Sequence, residues 1–95
     1  MSVGGRVILD GTKNEGISGI RVSMTDTTGA TRSTVTGKSG KFQFDELDAG
    51  QVYIFVVSGN RFYAFNQTTT AHLAMENFDE LIFIATPNFR ATPSF

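Results

Sequence analysis

The chain contains no cysteine and no tryptophan, and it has one histidine among its 95 residues. Without cysteine it forms no disulfide bond, offers no thiolate to a metal and has no cysteine nucleophile. The single histidine, His72, excludes a histidine-rich metal centre and leaves one candidate general base. Lys and Arg number 8 against 9 Asp and Glu, so no basic surface is expected to bind nucleic acid. The sequence therefore predicts neither a metal nor a cofactor.

The chain is short and has no long hydrophobic run. Its 95 residues suffice for one two-layer core but not for two, so we expect a single domain. No apolar stretch approaches the roughly 20 residues that a membrane-spanning helix needs. Residues 1–5 also lack the charged and hydrophobic regions of a secretory signal. We therefore expect no membrane insertion.

Nine phenylalanines, ten glycines and many threonine and valine residues favour β-structure with frequent turns. Alternating apolar and polar side chains predict seven strands, at residues 3–9, 20–25, 31–36, 42–44, 52–57, 61–65 and 79–85. Seven short strands separated by turn signals predict an all-β fold, an antiparallel β-sandwich that spans residues 1–85. Residues 86–95 contain both prolines and no alternation, and we interpret them as a C-terminal tail or linker.

The aromatic residues of the predicted strands are expected to fill the space between the two sheets, with Leu47 as a plug beneath a loop. The expected core aromatics are Phe42, Phe44, Tyr53, Phe55 and Phe83. The polar segment 31–36 is predicted to be an edge strand. The threonine-rich segment 66–78 reads as an irregular passage that is anchored by Leu73 and Met75, with one possible helical turn at 73–78.

Three stretches of the sequence carry a family resemblance. Residues 5–11, 16–25 and 40–53 resemble carboxypeptidase regulatory-like domains, above all in the Gly-x-Phe-x-Phe pattern from Gly40 to Phe44 and the Ala-Gly-x-x-Tyr pattern from Ala49 to Tyr53. The resemblance covers residues 3–85. It implies a seven-stranded Greek-key sandwich of the transthyretin-like (prealbumin) type, an Ig-like module of secreted or cell-surface proteins. The resemblance implies no catalytic residues.

Two polar groups of residues are candidate chemical sites. Asp45, Glu46 and Asp48 offer the oxygen atoms that calcium prefers, but their spacing matches no calcium loop, which favours solvated turn acids. His72 follows the threonines at 68–70, but a nucleophile also needs an orienting group and oxyanion donors. The favoured interpretation is a surface histidine in a protein that is not an enzyme.

Two surfaces are candidate binding sites. Aromatic residues at 62, 63, 65 and 89, with Arg61, form a candidate platform for sugar rings, although most are expected to pack in the core or at an edge. Five aliphatic residues are predicted to face outward and to form a candidate interface patch: Ile8, Ile54, Val56, Ile82 and Ile84. The alternative is that segment 66–78 or the C-terminal tail covers them.

The sequence therefore predicts a non-catalytic structural or interaction module that serves as a spacer, an adhesion unit or a domain-packing unit of a larger protein. The expected partners are neighbouring domains or another surface protein, and the expected location is extracellular or at the cell surface, as the resemblance implies. Two alternatives remain open, which are a carbohydrate-binding module and an accessory domain of a peptidase.

Overall fold

The computed structural model of the chain describes residues 1–11, 15–60, 62–65 and 68–87. The described residues form two four-stranded β-sheets that pack face to face. The strands are β1 (Val3–Leu9), β2 (Arg21–Thr25), β3 (Thr31–Val35), β4 (Lys41–Phe44), β5 (Gln51–Val57), β6 (Tyr63–Phe65), β7 (Thr69–Ala74) and β8 (Phe78–Pro87). The predicted all-β sandwich is confirmed.

The two sheets have the strand orders β4-β1-β8-β6 and β3-β2-β5-β7, and we call them sheet A and sheet B. All neighbouring strands run antiparallel except β1 and β8, which are parallel. The described residues therefore contain eight strands rather than seven, and one parallel pair inside a sandwich that was predicted to be antiparallel.

The additional strand, β7, lies within the segment that was interpreted as an irregular passage. It pairs with β5 in antiparallel register, so that Val52 lies opposite Leu73. Its inward residues are Thr70, His72 and Ala74, which are polar or small and therefore leave no apolar alternation to read. The suggested helical turn at 73–78 is wrong, because residues 75–77 form a bend and a link between two strands.

The last strand extends beyond its predicted end. β8 continues to Pro87, where it pairs with Tyr63 of β6. Pro87 is compatible with this position because its missing N–H would face the β1 side, beyond the end of β1 at Leu9. The other residues of the predicted tail, 88–95, lie outside the described part of the chain.

The core forms where the inner faces of the two sheets meet, and the five predicted aromatic residues are all buried there. Phe44 of sheet A contacts Phe55 of sheet B with ring centroids 5.8 Å apart, and Phe42 contacts Phe83 at 6.0 Å. Burial of each such ring contributes about 2 to 3 kcal/mol. Leu47 is also buried, as predicted. These rings hold sheet A against sheet B.

A close crossing of backbone segments fixes the entry into β4. Gly40 has a φ of 78° and accepts a hydrogen bond from the Val7 N–H at 2.8 Å, while the Ile17 N–H donates to the Val7 carbonyl at 2.9 Å. A Cβ atom on Gly40 would overlap this same carbonyl oxygen. The chain therefore needs glycine here both for its backbone conformation and for space.

One buried hydroxyl ties the segment before β2 to the end of β3. The Thr36 side chain accepts a hydrogen bond from the Ile20 N–H at 3.0 Å and donates one to the Ile17 carbonyl at 2.6 Å. Thr36 is almost fully buried. Because both partners are backbone groups of one short segment, this hydroxyl positions the whole approach to β2.

Candidate interaction surfaces

The five residues of the predicted patch divide between the outer faces of the two sheets. Ile8, on β1, and Ile82 and Ile84, on β8, belong to sheet A, whereas Ile54 and Val56, on β5, belong to sheet B. Since the core separates the two sheets, the five residues do not form one continuous surface. Each outer face instead carries its own aliphatic group.

On sheet B the aliphatic side chains form a strip along β5 and β7. We define the aliphatic strip as Val52, Ile54, Val56 and Leu73. Val52 lies opposite Leu73, and Ile54 lies opposite Ala71. Val52, Ile54 and Leu73 are 42%, 43% and 50% exposed, so the strip presents its side chains to solvent rather than to the core. The strip is therefore a candidate contact surface.

Two members of the strip were not identified from the sequence. Val52 shares the outward parity of Ile54 and Val56, and this was the signal that could have added it to the patch. Leu73 was interpreted as a core anchor, and this is wrong because it alternates outward on β7 while its neighbours His72 and Ala74 point inward. Met75 was interpreted in the same way and is also exposed.

The other half of the outer face of sheet B is polar. Ser23 and Ser33 share a hydrogen bond across β2 and β3 at 3.1 Å, and Thr25 and Thr31 share one at 2.9 Å. In register, Ser23 lies beside Val56 and Thr25 lies beside Ile54. The aliphatic strip is therefore bordered along one side by a row of hydroxyl groups.

The turn between β2 and β3 adds one carboxylate to this polar half. Asp26 accepts hydrogen bonds from the Thr28 hydroxyl at 2.6 Å and from the Thr28 and Ala30 N–H groups at 2.9 and 3.0 Å. The bond from the Thr28 hydroxyl lowers the pKa of Asp26 below its ordinary value. The carboxylate serves the turn rather than a ligand, because its oxygen Oδ1 already accepts from three donors.

On sheet A the aliphatic group consists of Ile8, Ile82 and Ile84. Ile8 lies directly beside Ile84, and Ile82 lies beside Arg6. Ile82 and Ile84 are each 50% exposed, while Ile8 is partly covered. This group is smaller than the strip on sheet B and borders a charged residue on one side.

A groove runs along β8 between the two sheets. It has a volume of about 370 Å³, and its lining includes Leu81, Ile82, Phe83 and Ile84 from β8 and Thr70 from β7. β6 pairs only with Ala85, Thr86 and Pro87, so within the described residues no strand pairs with the outer edge of β8 from Phe78 to Ile84. We call this stretch the β8 edge.

The acidic cluster lies in the loop between β4 and β5. Asp45 accepts a hydrogen bond from the Gln43 amide at 2.7 Å, and the Asp48 N–H donates to the Tyr53 hydroxyl at 2.8 Å. Glu46 has a φ of 61° and is exposed. In the part of the chain that the structure describes, no three His, Cys, Asp or Glu side chains are grouped so that they would hold a metal ion. The cluster shapes the loop.

His72 packs against an aromatic ring. Its imidazole stacks on Phe78 with centroids 4.8 Å apart and an interplanar angle of 27°. It lies on the inner side of β7 and is half-buried, so it is not the surface histidine that was predicted. His72 therefore contributes to packing at the margin of the core.

Most of the described residues of the predicted aromatic platform pack against the core. Tyr63 and Phe65 of β6 are half-buried and pack against the core, whereas Phe62 is 64% exposed. Arg61 and Phe89 lie outside the described residues. The described part of the platform thus offers one exposed ring.

Comparison with known proteins agrees with this fold. The described residues include no helix with the length and apolar character needed to cross a membrane. A search among curated proteins gave no match. The family model of the carboxypeptidase regulatory-like domain matches residues 2–78, which contain β1 to β7 and the first residue of β8. The chain therefore belongs to the family of carboxypeptidase regulatory-like domains, which are non-catalytic.

Proposed function

We propose that this domain is a structural and interaction module that packs against a neighbouring domain or another surface protein through the aliphatic strip of sheet B. The observation that carries the proposal is the exposure of Val52, Ile54 and Leu73 side by side on a regular sheet. Protein interfaces commonly combine such an apolar centre with a polar rim. Here the hydroxyl row of β2 and β3 supplies the rim.

The rigidity of the strip favours recognition over general stickiness. Val52, Ile54 and Val56 are β-branched and therefore lose little side-chain freedom on binding. β5 pairs with β7 from Gln51 to Val56 and with β2 from Ile54 to Val57, so the backbone beneath Ile54 and Val56 is paired on both sides. A partner would meet a preformed surface.

We propose the wider role on the ground of the family. A non-catalytic β-sandwich with a contact surface fits the part of a spacer, an adhesion unit or a domain-packing unit in a larger secreted or surface protein. We propose an extracellular or cell-surface location on the same ground. Protease treatment of intact cells tests the location, since a surface protein is digested and a protein inside the cell is protected.

The absence of cysteine permits a direct test of the strip. The variant Ile54→Cys places one thiol in the strip on sheet B, and Lys41→Cys places one at an exposed position of β4 on sheet A, away from the strip. Both variants are produced in the natural host and also as the isolated domain. Each is then treated with a maleimide reagent, and the labelling rate is measured.

The proposal expects slower labelling at position 54 in the natural setting than in the isolated domain, by about tenfold or more, because a partner covers the strip. Position 41 should label at similar rates in both settings. Equal rates in both settings at position 54 would contradict the proposal. The unfolding midpoint of each variant in urea shows whether the fold is kept.

Two other functions deserve a test of their own. Phe62 offers one exposed ring to a sugar, and a glycan array would detect carbohydrate binding if this ring is used. The family description also favours a place beside a peptidase, where the domain would copurify with that enzyme. The aliphatic strip supports domain packing more directly than either alternative, because it is larger than a single ring.

A further inference from the structure

We propose that the β8 edge binds an extended peptide strand with β-branched residues at its centre and a basic residue at each end. The bound strand would extend sheet A next to β8, beyond the point where β6 stops. This site is distinct from the aliphatic strip, which lies on the other sheet. It also lies beyond residue 78, where the family match ends.

The direction of the backbone groups identifies the occupant as a strand. The Asp10 N–H donates to the Ala85 carbonyl at 2.8 Å, so the backbone groups of Ala85 face β1. Backbone groups of successive residues alternate sides along a strand, so those of Ile82 and Ile84 face the open side. A second strand satisfies such a row of donors and acceptors completely.

The edge strands on the opposite side of the sandwich, β3 and β4, carry features that discourage pairing, whereas β7, the second edge of sheet B, has no charged residue from Thr69 to Ala74. β3 is polar and carries Arg32, and β4 is four residues long and carries Lys41. Charged side chains and short length are common ways in which proteins protect sheet edges. The β8 edge carries Asp79 and Glu80 near its start but has no charged residue from Leu81 to Ile84, and these central residues favour strands.

The groove beside the edge leaves room for the side chains of such a strand. Leu81 and Phe83 line its inner part, and Thr70 faces them from β7. Threonine or valine side chains suit this space, because a strand that pairs with β8 would turn every second residue toward the groove. The outward residues would lie beside Ile82 and Ile84, where β-branched pairs stabilise a sheet.

Charge at the two ends of the edge selects basic end residues. Glu80 is exposed at one end, and Asp10 lines the groove near the other. A Lys or Arg at each end of the peptide would complement these carboxylates. A second copy of the chain fits less well, since antiparallel pairing centred on Ile82 would place Glu80 of each copy opposite Ile84 of the other.

The test uses the 95-residue chain and the peptide acetyl-Lys-Val-Thr-Val-Thr-Lys-amide. Nuclear magnetic resonance titration of the labelled protein should show saturable shifts of the Ile82 and Ile84 amides. The matched control is the same peptide with N-methyl groups on both valines, which cannot donate the hydrogen bonds to β8. We expect this control to lose at least about tenfold in affinity.

Variants of the protein test which residues of β8 contribute to peptide binding. Ile82→Pro removes the N–H that faces the peptide and should abolish binding, while proline is tolerated on the unpaired side of an edge. Ile82→Thr should weaken binding about two- to fivefold. Glu80→Gln should weaken binding at low salt and reduce its salt dependence. Val35→Thr, on the edge strand β3, is the matched control and should bind like the parent chain.

Several results would overturn the proposal. Equal binding of the methylated peptide would show that no backbone pairing occurs, and this test holds even if Ile82→Pro fails to fold. Shifts of the β8 amides with protein concentration alone would assign the edge to a second copy. Binding that occurs only in a Phe89→Ser, Phe95→Ser double variant would assign it to the chain's own C-terminal residues.

Discussion

Two grooves of similar volume, about 330 and 370 Å³, lie beside opposite pairs of strands, but their linings differ. The groove beside β3 and β4 is lined by charged and amide side chains, among them Arg6, Lys41 and Gln43. The groove beside β7 and β8 is lined mainly by aliphatic and aromatic side chains of β8. Both grooves expose polar and apolar atoms in similar shares, so they differ in the chemistry of the side chains that line them and in the stretch of β8 beside the second groove, which pairs with no described strand on its outer side.

The hydrogen bonds near each groove add to this contrast. Beside the first groove, the Arg32 guanidinium donates to the Asp45 carbonyl at 2.8 Å and so links β3 of sheet B to the chain that leaves β4 of sheet A. The glycine crossing at Gly40 and the buried Thr36 hydroxyl belong to the β3–β4 connection. Substitutions on the β3–β4 side should therefore affect stability, while those on the β7–β8 side should affect binding.

The largest expected effect is that of Gly40→Ala. Alanine at position 40 must adopt a positive φ, and its Cβ atom overlaps the Val7 carbonyl oxygen. The free energy of unfolding should therefore fall by about 3 to 4 kcal/mol. Urea unfolding followed by circular dichroism measures this change. A loss of this size is a large part of the stability of a small domain.

Gly29→Ala is the matched control for this substitution. Gly29 has a φ of 92°, but a Cβ atom there would meet no atom within 4 Å. The control should cost only about 1 kcal/mol, which is the penalty of the backbone conformation alone. Equal losses at positions 40 and 29 would show that the close crossing contributes nothing.

Thr36→Val should have the next largest effect. Valine keeps the shape of threonine but removes both hydrogen bonds of the buried hydroxyl, so the loss should be about 2 kcal/mol. Thr36→Ser keeps the hydroxyl and should cost about 1 kcal/mol or less, since it removes only a methyl group. If the serine variant proves the less stable of the two, packing rather than hydrogen bonding explains the burial of Thr36.

Arg32→Ala tests the link between the sheets directly. Arg32 is exposed, so its bond to the Asp45 carbonyl should contribute only about 0.5 to 1 kcal/mol to the free energy of unfolding. Lys38→Ala removes an exposed cation from the β3–β4 turn and is the control for loss of charge. The same small change in both variants would mean that the charge, and not the link, is responsible.

The core was predictable because burial in a sandwich follows a period of two residues. Phe42 and Phe44, like Tyr53 and Phe55, alternate with more exposed residues, and each pair lies in the core as expected. β7 escaped prediction because its inward residues include Thr70 and His72, which are polar and therefore show no alternation of apolar and polar side chains. A local pattern does not show that His72 stacks on Phe78.

The candidate surface was predictable only in part. Alternation showed that Ile54 and Ile82 face outward, but it carries no information on which sheet each strand joins. That assignment depends on the strand order, which places β5 in sheet B and β8 in sheet A. The open edge of β8 could not be predicted from the sequence either, because it depends on the residue at which β6 stops pairing with β8.

The smallest effect on stability is expected for Ile84→Thr, on the β7–β8 side. Ile84 is half exposed, and threonine retains the β-branched shape that suits a strand, so the free energy of unfolding should change by no more than about 0.5 kcal/mol. The same variant should bind the strand peptide more weakly, because an apolar cross-strand contact is lost. A loss of stability above about 1 kcal/mol would instead mean that another part of the chain covers Ile84. In that case the β7–β8 side would hold the fold together as the β3–β4 side does, and the contrast between the two sides would fail.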